Sequence, residues 1–234
     1  MTGASPRWQQ IADALRTHAA TLPPGTRLPT EAALSATHGA NRHTVRRAID
    51  SLTRAGLVRT EQGRGSFVAD DVLDYAIVPR TRFSEWVRRQ NREPAGQIVQ
   101  LRHVPAPPAI AADLAVAPGA PVVLLERVGQ ADRVPISLTR HYFDGERLPG
   151  LFEALQEETT ITAALAAVGV NDYRRLRTRV GARLPTATEA ILLASARNRP
   201  VLVCANVNVD AGGRVIESAI ALYPSSRLHV VFEP

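Results

Sequence analysis

The stretch that most constrains the fold runs from Asn41 to Leu52, where Val45, Ile49 and Leu52 recur at spacings of four and three with the small Ala48 among them. That spacing draws one apolar stripe along a helix. Asn41 precedes the stripe, where its side-chain oxygen can cap the first free backbone N–H groups. Arg42, His43, Arg46 and Arg47 point away from the stripe, so the exposed face is cationic and rich in donors. DNA offers phosphates along its edge and guanine O6/N7 acceptors in its major groove, which such a face can meet. For a lone arginine-rich helix, a solvated basic face is an equal alternative.

The neighbours separate the two readings. Leu28-Pro29-Thr30-Glu31 starts an earlier helix at Thr30, Leu34 faces inward, and His38-Gly39-Ala40 is a short turn with glycine where a positive φ is needed. Two short helices joined by a tight turn predict a helix-turn-helix, whose second member enters the groove. Ala55-Gly56 stops that member, Leu57 to Glu61 reads as a strand, Gln62-Gly63-Arg64-Gly65 turns, and Ser66-Phe67-Val68 returns. The result is a winged helix-turn-helix with an arginine at the tip of the wing. Upstream, Pro6 suits the first turn of a helix, and Trp8, Ile11, Ala12 and Leu15 give it an inward stripe. Arg27 lies just before the helix-turn-helix.

These residues resemble the GntR family of bacterial transcription regulators: Leu28-Pro29-Thr30-Glu31, Arg42-His43-Thr44-Val45-Arg46-Arg47-Ala48, Leu52, Gly56-Leu57, Gly63-Arg64-Gly65 and Phe67-Val68. The resemblance implies that Asn41, Arg42, Thr44, Arg46, Gly63 and Arg64 touch double-stranded DNA, and Arg27, His43 and Arg47 join them as expected DNA-binding residues. It also implies a homodimer on a palindromic operator, most often as a repressor. Ala32 departs from the pattern, standing where many relatives carry an arginine.

Charge follows the same division. Every one of the 28 basic residues is arginine, so arginine counts alone say little, but residues 1–70 carry 9 Arg against 5 acids while residues 71–234 carry 19 against 17. A basic excess on the smaller segment suits a nucleic-acid module. Cys204 is the single cysteine, which excludes a disulfide framework within one chain and suits a reducing compartment. The start lacks a signal-peptide pattern and no apolar stretch reaches membrane-spanning length, so a cytoplasmic protein without membrane contact is expected.

The expected organisation is α+β: a winged helix-turn-helix over 1–69, a linker over 70–79 with three aspartates, and an effector-binding and dimerisation domain over 80–234. In that domain Gln97 to His103 alternates as a strand. Two hairpins echo each other, Pro121–Val128 with Val134–Tyr142 and Pro200–Val207 with Val215–Tyr223, each after a short alanine-rich helix. Thr186-Ala187-Thr188-Glu189 spells a capping box before the second of these. Repeated helix-then-hairpin units predict a central antiparallel sheet flanked by helices. A helix from about Thr160, an arginine-rich strand from Tyr173 and a last strand, Leu228 to Phe232, complete the pattern.

Glu126-Arg127-Val128, Pro135-Ile136-Ser137-Leu138, Thr160-Ile161 and Gly213-Arg214-Val215-Ile216-Glu217, with Tyr223 and Arg227, resemble the HutC-type branch of the GntR family. That branch has a chorismate-lyase-like effector domain. Arg80-Thr81-Arg82-Phe83-Ser84-Glu85 and Asn208-Val209-Asp210 resemble PhnF-like regulators of phosphonate or phosphate metabolism. The resemblance implies a pocket for a small anionic metabolite, lined at Arg127, Thr160, Glu217 and Tyr223, with Thr81, Arg82, Phe83 and Arg227 as further effector-binding candidates. Gly129 and Thr139 depart from sugar-phosphate-binding relatives, which carry an arginine and an acid there. Physically, Arg127 reads as a guanidinium emerging at a strand's end that could hold phosphate or carboxylate bidentately, and Thr160 as the start of a helix. A local ion pair is the alternative for Arg127 and Glu217.

An enzyme acting on a small anionic substrate is the second functional reading, on fold alone. His103, His141 and His229 are scattered without metal-ligand spacing, and Cys204 sits mid-strand among Val and Leu. No catalytic set, metal or cofactor is therefore expected.

Overall fold

The first unit is built on the stripe read above. In the computed structural model, which describes residues 5–61, 63–69, 72–80 and 82–232, the chain divides into units Met1–Asp71 and Val72–Pro234. The first holds α1 (Arg7–Ala20), α2 (Glu31–His38), α3 (Arg42–Arg54), β1 (Val58–Glu61) and β2 (Gly65–Val68). Thr30 Oγ1 accepts from the N–H of Ala33, and Gly39 ends α2 at φ +56°. Asn41 Oδ1 accepts from the N–H of Thr44 at 2.8 Å and opens α3. Val45, Ala48, Ile49 and Leu52 are buried against Ile11, Leu15, Leu34 and Val58, each large side chain contributing about 1.5–3 kcal/mol. β1 and β2 pair antiparallel, Val58 opposite Val68. Trp8, expected in the inward stripe of α1, is only half-buried, because its ring sits under the Arg47 guanidinium, 4.6 Å from carbon to centroid.

The second unit contains β3 (Leu73–Ala76), α4 (Phe83–Arg89), β4 (Pro94–Pro105), α5 (Pro108–Leu114), β5 (Pro121–Ala131), β6 (Val134–Phe143), α6 (Leu151–Glu157), α7 (Ile161–Ala167), β7 (Tyr173–Arg183), α8 (Ala187–Leu192), β8 (Val201–Asp210), β9 (Val215–Pro224) and β10 (Leu228–Val231). Six strands form one sheet in the order β4-β5-β6-β9-β8-β7, every pair antiparallel. The two echoing hairpins, β5/β6 and β8/β9, meet where β6 pairs with β9. Alternation along β5 divides the core: Val123 and Leu125 pack with Leu151, Leu155 and Leu165 on one face, while Val122 and Leu124 pack with Ile110 and Leu114 on the other. The Thr186 capping box forms as read, with Glu189 returning to the N–H of Thr186.

Three expectations change. Leu73–Ala76, read within the linker, is a strand with Leu73 and Tyr75 buried and Asp74 exposed; its alternation was masked by the aspartates around it. The last strand does not join the sheet, because β10 pairs in parallel with β3, Leu228 opposite Leu73. Arg127 lies in the middle of β5, opposite Thr139 of β6, not at a strand's end.

Candidate functional site

The first unit presents α3 and the β1–β2 turn. Arg42, His43, Arg46 and Arg47 are all exposed, carried outward by the buried stripe on the opposite side of the helix. They differ in how far they are already engaged. Arg46 Nε lies 3.3 Å from Glu31 Oε1, and Arg47 rests on Trp8, whereas Arg42 has no side-chain partner among the described residues. Thr44 also donates its hydroxyl to Asn41 Oδ1 at 2.8 Å, so that residue is tied into the cap. In the wing, Gly63 (φ +73°) and Gly65 (φ +110°) flank the exposed Arg64. Arg64 reaches Glu61 Oε2 at 2.6 Å. Arg27 is exposed beside it, and a Cβ at Gly65 would come within 3.2 Å of its guanidinium. This surface offers more guanidinium donors than the two carboxylates, Glu31 and Glu61, that touch them, the chemistry needed for phosphate and guanine edges.

The second unit encloses a cavity of about 290 Å³ on the α6–α7 face of the sheet. Its floor comes from neighbouring strands: Arg127 and Gly129 (β5), Ser137, Thr139 and His141 (β6), Glu217, Ala219, Ala221 and Tyr223 (β9), Asn206 and Asn208 (β8), and Tyr173 and Arg175 (β7). Arg82, Phe83 and Arg88 of the α4 segment, the Thr160–Thr162 start of α7, and Tyr75 of β3 supply the rest. Two glycines make room. A Cβ at Gly96 would overlap the Arg127 guanidinium, and one at Gly129 would come 2.6 Å from the Phe83 ring.

The cationic groups are unequally free. Arg127 donates to the Thr159 carbonyl at 3.0 Å and has no carboxylate partner among the described residues; burial lowers its pKa. Arg82 donates to the Tyr173 carbonyl at 2.7 Å and lies 3.5 Å from that ring's centroid, with Asp172 3.9 Å away. Arg175 donates to Asn208 Oδ1 at 3.3 Å and to the Tyr75 hydroxyl at 3.2 Å. Glu217 is buried, its carboxylate meeting His141 Nδ1 at 2.5 Å and accepting from Asn208. Burial alone would raise its pKa, but the His141 contact, Asn208 and the Arg175 charge together hold it below the usual value. Burial pushes the Tyr223 hydroxyl well above its usual range.

Of the residues expected in the pocket, Arg82, Phe83, Arg127, Thr160, Glu217 and Tyr223 line this cavity. Thr81 lies outside the described residues. Arg227 is not in the lining: it is buried and donates to the carbonyls of Pro135, Leu193 and Ala194. The Thr160 hydroxyl is occupied, accepting from the N–H of Ala163 as a helix cap. Arg127 and Glu217 do not pair with each other; each has the partners just given. Sequence reasoning missed His141, Arg175, Asn208 and Tyr75. Strand alternation could have placed His141 with Thr139, and Asn208 with Asn206, but Arg175 borders a register shift between Arg175 and Arg177, and Tyr75 belongs to a strand that was not foreseen.

A model of the UTRA domain matches residues 89–229, and a model of bacterial regulatory proteins, gntR family, matches residues 8–68. The chain is 36% identical over 229 residues to the Rhizobium meliloti (strain 1021) protein Uncharacterized HTH-type transcriptional regulator RB1450, across 97% of this chain and 94% of that one. It is 31% identical over 211 residues to Probable transcriptional regulator PhnF of Escherichia coli (strain K12), across 86% and 82% of the two chains. The crystal structure of PhnF from Mycobacterium smegmatis superposes with a TM-score of 0.65 at 26% identity, covering 96% of this chain and 98% of that one.

Proposed function

Because the chain belongs to the gntR family of bacterial regulatory proteins and carries a UTRA domain, it is a transcriptional regulator with an effector domain, and from that premise we propose that it is a homodimeric repressor released or tightened by a small anionic metabolite. The DNA contacts in this reading are Arg27, Asn41, Arg42, His43, Thr44, Arg46, Arg47, Gly63 and Arg64, the first-turn side chains of α3 meeting base edges and the wing meeting the backbone. Two heads on a two-fold axis read half-sites roughly one turn apart, so the operator is palindromic. A head seated on a promoter represses by occupancy, and the effector shifts the population of arrangements in which both heads fit.

One observation carries the anionic effector: Arg127 brings a guanidinium into the cavity with no carboxylate paired to it among the described residues. A partly desolvated guanidinium gains most from a bidentate carboxylate, phosphate or phosphonate. The cavity is read as a sensor, not a catalytic centre, in keeping with relatives named as regulators. Cys204, the one thiol, is buried and pushed up to about 11 by that burial, far from a reactive thiolate. The test uses the full chain and a duplex selected from a random pool. Calorimetry with phosphate and alkylphosphonates should show Arg127→Ala losing roughly tenfold or more in anion affinity, for a contact of about 1.5–3 kcal/mol. Affinity for the selected duplex should stay at the wild-type level. Equal anion binding by both proteins sinks the reading, and turnover of a bound probe would install the enzyme alternative in its place.

A further inference from the structure

Glu217 is the position where a ligand contact was expected, yet both of its oxygens are engaged, one by His141 Nδ1 and the other by Asn208. An ionised carboxylate only accepts hydrogen bonds. Glu217 is held ionised by its surroundings, so Nδ1 of His141 carries the proton and donates it. The Glu217 contact at Nδ1 fixes the ring's orientation and leaves Nε2 as its other hydrogen-bonding atom. Nε2 has no partner among the described residues, the ring lines the cavity, and it stacks on Phe143 within 8° of parallel. Behind Glu217, Asn208 is tied to Arg175 and Arg175 to Tyr75. Glu217, Asn208, Arg175 and Tyr75 are thus spent on one another, and the imidazole Nε2 is left open to the cavity.

The other end of the cavity is set by Arg127. Its guanidinium lies against Gly96 of β4, while His141 stands on β6, on the far side of β5. Two strand spacings put them at least ~10 Å apart. Subtracting two hydrogen bonds of ~2.9 Å leaves ~4 Å or more to be spanned by the ligand itself. A bare phosphate is too small to touch both. The charge of Glu217 is already opposed by Arg175, so the group at the imidazole end needs no positive charge of its own.

We propose that His141 is a specificity-determining residue of the cavity: its Nε2 forms a hydrogen bond with a hydroxyl on the effector, remote from the anionic group held by Arg127, and Glu217 serves as the positioning residue that fixes the orientation of the imidazole. The proposal rests on Arg127 being the anion-binding residue, and the test keeps the two apart. Two probes of matched length are titrated calorimetrically into the full chain, 6-hydroxyhexylphosphonate and heptylphosphonate. Wild type should bind the hydroxyl-ended probe roughly fivefold or more tightly, the factor for one net hydrogen bond. His141→Phe keeps a ring on Phe143 and should bind the two alike. Glu217→Gln provides a second variant should that one fail to fold. It removes the charged anchor of the ring, so the hydroxyl preference should shrink toward that of His141→Phe. Equal binding of the matched probes by wild type overturns the proposal, as does a hydroxyl preference undiminished in either variant. Failure of wild type to bind any of these probes, or undiminished binding by Arg127→Ala, overturns the anionic reading beneath it.

Discussion

The two units encode their candidate sites in opposite ways. In the first, the residues offered to DNA follow one another along the outside of α3, and the same short stretch supplies the cap, the buried stripe and the exposed arginines. In the second, the cavity is assembled from contacts between residues far apart in the chain: His141 meets Glu217 across 76 positions and Arg175 meets Tyr75 across 100. A helix face is a local property of sequence, because period and cap fix which side chains point outward. A cavity floor is a property of strand register, and one shifted pair changes which side chains share a face.

The comparison breaks most severely if the two units are not energetically separate. Leu52 is fully buried beneath the arginines of α3, so Leu52→Ala should cost about 2–5 kcal/mol in the stability of the first unit. Duplex binding should fall with it, while phosphonate affinity in the cavity stays unchanged. A cavity that weakens in parallel would show that the units share their stability.

A smaller effect separates the exposed arginines from one another. Arg42→Ala should lose about 1–3 kcal/mol in affinity for the selected duplex without changing the melting of the first unit. Arg46→Ala should lose less, because Arg46 must first leave Glu31. Equal losses would mean that the Glu31 contact costs nothing to break, and wild-type affinity in the double variant would remove α3 from the interface.

These contrasts show what was legible in the sequence. The caps at Thr30, Asn41, Thr160 and Thr186 were readable because each needs only a few consecutive residues. The echoing hairpins were readable from alternation and turn residues. Strand β3 was not: four residues among aspartates carry too short a pattern, and its partner β10 lies at the other end of the chain. His141 was seen as an isolated histidine because the acid that orients it is on another strand. Arg227 reads as a cavity arginine by resemblance, but it is spent on three carbonyls, a role that only the tertiary structure can assign.

The second unit should also carry an acid dependence of its own. Glu189 is buried at the start of α8, where Arg183 holds it with bonds of 2.7 and 2.8 Å and the N–H of Thr186 adds a third. The Arg183 hydrogen bonds, aided by Thr186 and Arg140, outweigh burial and lower its pKa from 4.5 to about 2. A carboxylate depressed in the folded state contributes its full stability above the unfolded value and loses it as pH falls through the folded one. The melting temperature of this unit should therefore drop between about pH 4.5 and about 2, and Glu189→Gln should flatten that drop while lowering stability at neutral pH. A variant with the wild-type acid profile would assign the loss to other carboxylates.

The finest distinction lies within the first unit, between the helix and the wing. Arg64 is exposed at the turn but starts from a contact with Glu61, 2.6 Å away, and Glu61 also meets Arg59. When Arg64 swings to a phosphate, Glu61 keeps Arg59, so the carboxylate is not left buried and alone. Arg64 is exposed and Glu61 is buried but keeps a partner, so the cost of release is on the order of 1 kcal/mol. One phosphate contact releases counterions and adds about 0.9 to the slope of log affinity against log salt. Arg64→Ala should reduce the slope by that amount for every duplex sequence alike, because a phosphate carries no base identity. Loss of discrimination between duplexes, with the slope intact, would instead put Arg64 on base edges, and the wing would then read sequence as the helix does.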